Sequence, residues 1–249
     1  MKKTSKINKE QYLELYNAGK SDMEISTIMK APYRTISNFR KQILKLPLVQ
    51  DNVKITKEQE EILLGTLLGD STISFTHAQC RFPKLSFVHS EKQETYFKIK
   101  FEKLNVLLSS YLKREYKTTT VIKNRVCNVR PVLYAIGKNL KVLQEYRNTF
   151  YPNGIKIIPI KFLENTFTEI SLAYLFMDDG NKNGKTINLN LQNFELENLI
   201  EFQSFLLRRF NLEFTIKKDK TLYLKQNSYI HFKSLVLPYI TIDSLYKLS

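Results

Sequence analysis

Two acidic residues, Asp70 and Asp179, close two otherwise apolar stretches, Leu63-Leu-Gly-Thr-Leu-Leu-Gly-Asp-Ser71 and Leu172-Ala-Tyr-Leu-Phe-Met-Asp-Asp-Gly180. Neither stretch has a polar face, so each reads as a helix buried all round. Gly65 and Gly69 lie four apart on one face of the first. Glycine costs a helix interior about 1 kcal/mol relative to alanine, so two of them need a reason. Close backbone contact with the second helix, where Ala173 offers a small side chain, supplies it. Helices packed in this way bring Asp70 and Asp179 together at one end. The carbonyls at a helix C-terminus favour positive charge as well. The plain alternative is a solvated helix terminus. Asp178 stands one position earlier in the second stretch and is the weaker candidate. Two cysteines (Cys80, Cys127) and three scattered histidines (His77, His89, His231) exclude a disulfide framework, a Cys-rich zinc site and a histidine metal cage.

The elements that must position these acids occupy residues 57–249. Helix Lys57–Leu68 precedes alternating stretches at Ser71–Thr76 and Arg81–His89. A helix from Ser90 to about Leu108 is followed by strands at Tyr111–Tyr116 and Thr119–Arg130, then a helical region from Pro131 to Phe150. After Pro152-Asn153-Gly154 the order begins again: helix Thr168–Met177, strand Lys185–Gln192, helix Glu195–Arg209, strands Glu213–Lys218 and Thr221–Lys225, and a short helix Tyr229–Leu237. The pattern α, β-pair, α, β-pair, α runs twice, which predicts an α+β fold. Within 185–192, Ile187, Leu189 and Leu191 alternate with Asn188, Asn190 and Gln192, as in an antiparallel sheet with one open polar face. The strands also carry Arg81, Lys84, Lys113, Arg114, Lys123, Arg125, Asn128, Arg130, Lys185, Lys217 and Lys225. A two-stranded ribbon fits the major groove of DNA, where Arg, Lys, Asn and Gln read base edges. An ordinary solvated sheet face is also polar.

Net charge strengthens that expectation. With 39 Lys and Arg against 24 Asp and Glu, the chain carries +15, and phosphate backbones are the usual partner of such an excess. A lysine-rich composition also follows from AT-rich coding. The first fifty residues form a separate unit of three short helices: one from the N-cap Asn8 to Gly19, one opened by Ser21-Asp22, one opened by Pro32 with Ile36, Phe39 and Ile43 at helical spacing. This arrangement resembles a helix-turn-helix domain whose third helix shows Tyr33, Arg34, Ser37, Asn38, Arg40 and Lys41 to the groove. A small bundle that docks on protein is the alternative. Residues 50–54 make a linker, so the expected domains are 1–50, 51–154 and 155–249.

The two apolar stretches, with their terminal acids, resemble the motif of the LAGLIDADG homing endonucleases in single-chain, two-repeat form. The second copy, with Leu189-Asn-Leu-Gln-Asn-Phe194 and the closing Leu245-Tyr-Lys-Leu248, is similar to the mitochondrial omega-intron type. The first repeat has the family's His89-x-x-x-Gln93-x-x-Tyr96 pattern. The likeness covers residues 56–248 and implies two pseudo-symmetric αββαββα repeats that form a DNA-binding saddle. It also implies a divalent cation, Mg²⁺ or Mn²⁺, held by Asp70 and Asp179 against the scissile phosphates. Mg²⁺ suits so sparse a ligand set because it takes one or two carboxylates and fills its shell with phosphate oxygens and water. Lys156 and Lys247 occupy the family's positions for a basic residue near the cleaved bond, and Gln192 that of a residue orienting active-site solvent. Ser71 departs from the glycine that often follows the first acid.

The resemblance implies a monomeric, site-specific double-strand endonuclease of a mobile intron or intein-like element, acting on a long asymmetric target because the two halves differ. A non-catalytic DNA-binding regulator and a maturase acting on its own intron RNA are the competing functions. The most apolar stretch, residues 170–177, falls far short of the ~20 residues a membrane span needs, and the basic N-terminus has no apolar stretch behind it. A soluble protein of a reducing compartment is expected, cytoplasmic or organellar, neither secreted nor bound to membrane.

Overall fold

Side by side at the centre lie the two motif helices, Lys57–Leu68 and Glu169–Asp179. The computed structural model describes residues 7–48, 52–115, 119–122, 125–128 and 131–248, and side chains outside 116–130. A methyl group on Gly65 would stand 2.2 Å from the Ser171 carbonyl oxygen, and one on Gly69 would stand 2.5 Å from the Asp178 Cβ. Glycine is therefore required at both crossings, as its cost in a helix implied. The Ser171 hydroxyl also donates to the Glu61 carbonyl across the interface at 2.7 Å.

Each motif helix feeds an antiparallel sheet. In the first half the strands are β1 (Ser71–Ser74), β2 (Lys84–Ser90), β3 (Leu108–Arg114) and β6 (Val132–Gly137), in the order β1-β2-β6-β3. In the second they are β7 (Gly180–Asn183), β8 (Thr186–Leu189), β9 (Phe214–Ile216) and β10 (Leu222–Leu224), in the order β7-β8-β10-β9. The orders match element for element, which is the expected internal repeat. A separate hairpin, β4 (Thr119–Ile122) with β5 (Arg125–Asn128), is an addition to the first half. One hydrophobic core runs through both repeats, from Leu63 and Phe87 to Phe176 and Leu222.

Three expected elements differ, the first being the strand placed over Thr119–Arg130, which is the hairpin β4–β5 while β6 takes its place beside β3. The helix placed over 131–150 is instead strand β6 followed by helix Leu143–Phe150. Val132–Gly137 alternates half-buried and buried residues, and Gly137 passes so close to the Leu85 backbone that a methyl group would meet its carbonyl at 2.1 Å. The strand at 185–192 is a hairpin in which Gly180–Asn183 forms the partner, a strand without apolar residues to announce it. Within β8, Ile187 and Leu189 are buried and Asn188 is not, as the alternation required.

The N-terminal helices, Lys9–Asn17, Asp22–Ile28 and Tyr33–Asn38, have a core of their own around Tyr12, Tyr16, Ile25 and Ile36. Asn8 caps the first, Gly19 turns at φ +78°, and Ser21 and Glu24 cap the second reciprocally. The third widens into a π-turn over Phe39–Leu44. Among the described residues, no helix is long and apolar enough to cross a membrane.

Candidate active site

Asp70 follows the first motif helix and Asp179 ends the second, near enough for the Asp70 charge to act on Asp179. Burial, then the Asp178 charge, pushes the Asp70 carboxyl up to about 6. Burial, then the charges of Asp70 and Asp178, pushes Asp179 up to about 7. Carboxylates whose charge is disfavoured first by burial and then by neighbouring acids are poised to accept a compensating cation. Lys156, in the segment before helix Ile160–Leu163, and Lys247, closing the turn Ile242–Lys247, each lie against the end of one motif helix. The Lys156 ammonium donates to the carbonyls of Gly69 (2.9 Å) and Ser71 (3.2 Å), and that of Lys247 to those of Met177 (2.6 Å) and Asp178 (3.4 Å). Burial lowers both ammonium pKa values, and the acids partly offset this. The two lysines thus repeat one position across the halves.

Asp178 is not a spare acid. Its side chain is fully buried and accepts hydrogen bonds from Thr66 Oγ1 (2.6 Å), Tyr96 Oη (2.6 Å), Lys100 Nζ (2.9 Å) and the Asp70 amide (3.2 Å). Burial alone would raise its pKa, but the Lys100 ammonium and the other donors hold it below the ordinary value. The second motif helix is therefore pinned to the first repeat beside Asp70. Ser71, where the family often has glycine, joins the network through a 2.6 Å hydroxyl contact with Thr66. Lys100 is the residue missed from sequence. Its signal was a lysine on the apolar stripe of Tyr96, Phe97 and Leu104.

The Gln192 amide donates to the Thr221 hydroxyl at 2.8 Å. Its neighbour Asn190 touches the site, with a side chain donating to the Asp179 carbonyl at 2.9 Å. On the open face of the first sheet lie Lys84 and Arg114, the latter with its guanidinium 5.0 Å from the centre of the Tyr134 ring. Lys113 is on the opposite face, which the helices cover, and pairs with Glu91. Adjacent strand residues point to opposite sides, so Lys113 and Arg114 do not share a groove-reading face. Arg81 is exposed in the β1–β2 loop and stacks on Phe82. In the second half Asn188 and Lys217 share the open face, Lys217 over the Tyr223 ring, while Lys185 is exposed in the β7–β8 turn. Lys225 is exposed and paired with Glu213 at 2.7 Å. Lys123 and Arg130 lie outside the described residues; Arg125 and Asn128 lie on β5, whose side chains also fall outside them.

On the third N-terminal helix Arg34, Asn38 and Lys41 are exposed. Arg40 and Ser37 are not. Arg40 is 3% exposed and bridges Asp22 at 2.9 Å and the Leu46 carbonyl at 2.8 Å, so it holds the unit together and does not meet a groove.

The family model of the LAGLIDADG DNA endonuclease family matches residues 60–235. The chain belongs to that family. Within it, the chain is 30% identical over 211 residues to the probable intron-encoded endonuclease 1 of Wickerhamomyces canadensis, covering 78% of this chain and 85% of the relative. It is 24% identical over 207 residues to the cytochrome b mRNA maturase bI2 of Debaryomyces hansenii, covering 79% and 76%. The fold is similar to that of the homing endonuclease I-WcaI bound to its DNA recognition sequence, with a TM-score of 0.68 and 29% identity over 79% of this chain and 88% of that one. The single-chain, two-repeat α+β architecture is thus that of the family.

Proposed function

We propose that the chain is a site-specific endonuclease that hydrolyses both strands of a long, asymmetric DNA target with the help of divalent cations. The pairing of Asp70 and Asp179 at the ends of two helices locked together by Gly65 and Gly69 carries this reading. Their all-oxygen chemistry fits Mg²⁺ or Mn²⁺, because hard cations take carboxylate, carbonyl and phosphate oxygens. Such a cation, when bound, supplies charge that activates water and stabilises the departing oxygen. Asp70 and Asp179 would hold it. Lys156 and Lys247 keep ammonium groups beside the helix ends, where negative charge builds on the phosphate. The open sheet faces carry Lys84, Arg114, Asn188 and Lys217 toward the duplex, and the N-terminal unit extends the contact through Arg34, Asn38 and Lys41. The site works as a monomer because both acids belong to one chain.

The retained and clustered acids argue against a purely binding regulator. A maturase acting on intron RNA is the second reading, favoured by the similarity to a protein named as one. Selection of cut sites from a randomised duplex library with Mg²⁺, beside a splicing test on an intron RNA, decides between them. Recovery of one long asymmetric site supports the endonuclease. Splicing without any cut site supports the maturase.

A further inference from the structure

His89 ends the inward-facing row of β2 and is 2% exposed, yet neither ring nitrogen makes a well-formed hydrogen bond, and the Gln93 side chain interacts with the ring only weakly. Buried polar groups without partners are rare enough to need an explanation. The ring stands between two acids, with Nδ1 3.5 Å from Asp70 Oδ2 and Nε2 3.6 Å from Asp178 Oδ1. A neutral imidazole has one N–H and one lone pair. Asp178 keeps its negative charge because Lys100 pairs with it, so the N–H turns to Asp178. Nδ1 then presents a lone pair to a carboxylate oxygen, and the two repel unless a proton or a cation lies between them.

The spacing suits one. Ligand atoms about 2.1–2.2 Å from a common ion stand roughly 3.0–3.5 Å apart. Asp70 is 37% exposed at its side chain, which opens the site to solvent, whereas the Asp178 oxygens are taken by Lys100, Tyr96 and Thr66. A carboxylate that orients a histidine which in turn binds a metal is a common arrangement around protein-bound ions.

We propose that His89 Nδ1 is a ligand of the cation held by Asp70, oriented from behind by Asp178, so that the first half-site is a mixed nitrogen–oxygen site. The second half-site differs. Ser71 pairs with Phe87 and Gly180 with Leu189, so the position equivalent to His89 is Leu191, which is buried and apolar. The two strands of a target would therefore be cut by chemically unequal centres. This inference rests on the cation-binding role of Asp70 proposed above.

Mn²⁺ bound to the full chain is the probe, read by pulsed electron paramagnetic resonance. Nitrogen coupling to Mn²⁺ is expected, with its pattern changed by ¹⁵N-labelled histidine. It should persist in His77→Gln and His231→Gln and vanish in His89→Leu, which copies the second half-site. Mn²⁺ affinity of the first site should fall at least about 10-fold in His89→Leu. An unchanged thermal melt of the metal-free His89→Leu protein would confirm that it folds. Bound Mn²⁺ without nitrogen coupling, sensitive to Asp70→Asn, overturns the role of His89 and leaves the cation site standing. Mn²⁺ affinity unaffected by both Asp70→Asn and Asp179→Asn removes the cation site itself, and this inference with it.

Discussion

Replacing Asp179 by asparagine should stabilise the metal-free protein while destroying its chemistry. In the folded chain the carboxyl is pushed up to about 7 by burial and by Asp70 and Asp178, against an ordinary value of 3.8. At 1.36 kcal/mol per tenfold change, that difference is worth about 4 kcal/mol, and solvent screening of a half-buried group cuts it to about 2 kcal/mol. The sign follows from the raised value. Below pH 4 the group is neutral in both folded and unfolded chains, so the mutation changes little. As pH rises from about 4 through 7, the folded state must give up a proton it holds more tightly than the unfolded chain does, and wild-type stability declines. At pH 8 with a chelator present, Asp179→Asn should melt roughly 4–8 °C above wild type, since about 1 kcal/mol moves a domain of this size by ~2–4 °C. Added Mg²⁺ should raise the melting temperature of wild type more than that of the variant. A variant no more stable than wild type at pH 8 in chelator would refute the burial and charge crowding of Asp179 on which the site's cation affinity rests.

Removing one partner of the buried pair, as in Lys100→Met, leaves the Asp178 charge uncompensated and should cost about 3–5 kcal/mol in denaturant unfolding. Gly65→Ala drives a methyl group against the Ser171 carbonyl at 2.2 Å and should lower stability by about 1–3 kcal/mol or more, whereas Ala173→Gly, with no such clash, should cost less. Arg40→Ala should loosen the N-terminal unit, seen as faster amide exchange at Tyr12 and Ile25, while cleavage by the two-repeat core survives with weaker binding. Affinity for DNA should fall with salt at a slope near −0.9 per phosphate contact, and a nearly flat slope would contradict a basic face that follows the backbone.

Much of this was legible in the chain because the decisive residues break local rules. Glycines inside an apolar helix are costly, so Gly65 and Gly69 announced the helix crossing, and the acids that end the two stretches followed from it. Alternation marked β8 because one face is buried and the other wet. Strand β6 reads as helix in the sequence because Pro131 and the run Val-Leu-Tyr-Ala-Ile fit either period over a few residues, and pairing with β2 and β3 decides between them. Strand β7 has no buried side chain pattern, only a backbone that β8 recruits. Arg40 looked like a groove residue because sequence spacing shows which residues share a face, not which face is covered. The Asp178–Lys100 pair joins positions 78 residues apart, a distance that no local pattern reports.

Strand-resolved cleavage of a selected target by wild type, Asp70→Asn and Asp179→Asn, each with Mg²⁺ and each beside its gel-shift affinity, tests the central claim most directly. Both variants should fold, and both should bind at least as well as wild type because a charge that repels phosphate is gone. Each should lose cutting by several orders of magnitude on the strand served by its own acid. Wild-type cutting rates in both variants would contradict the assignment of Asp70 and Asp179 as the groups that carry the reaction.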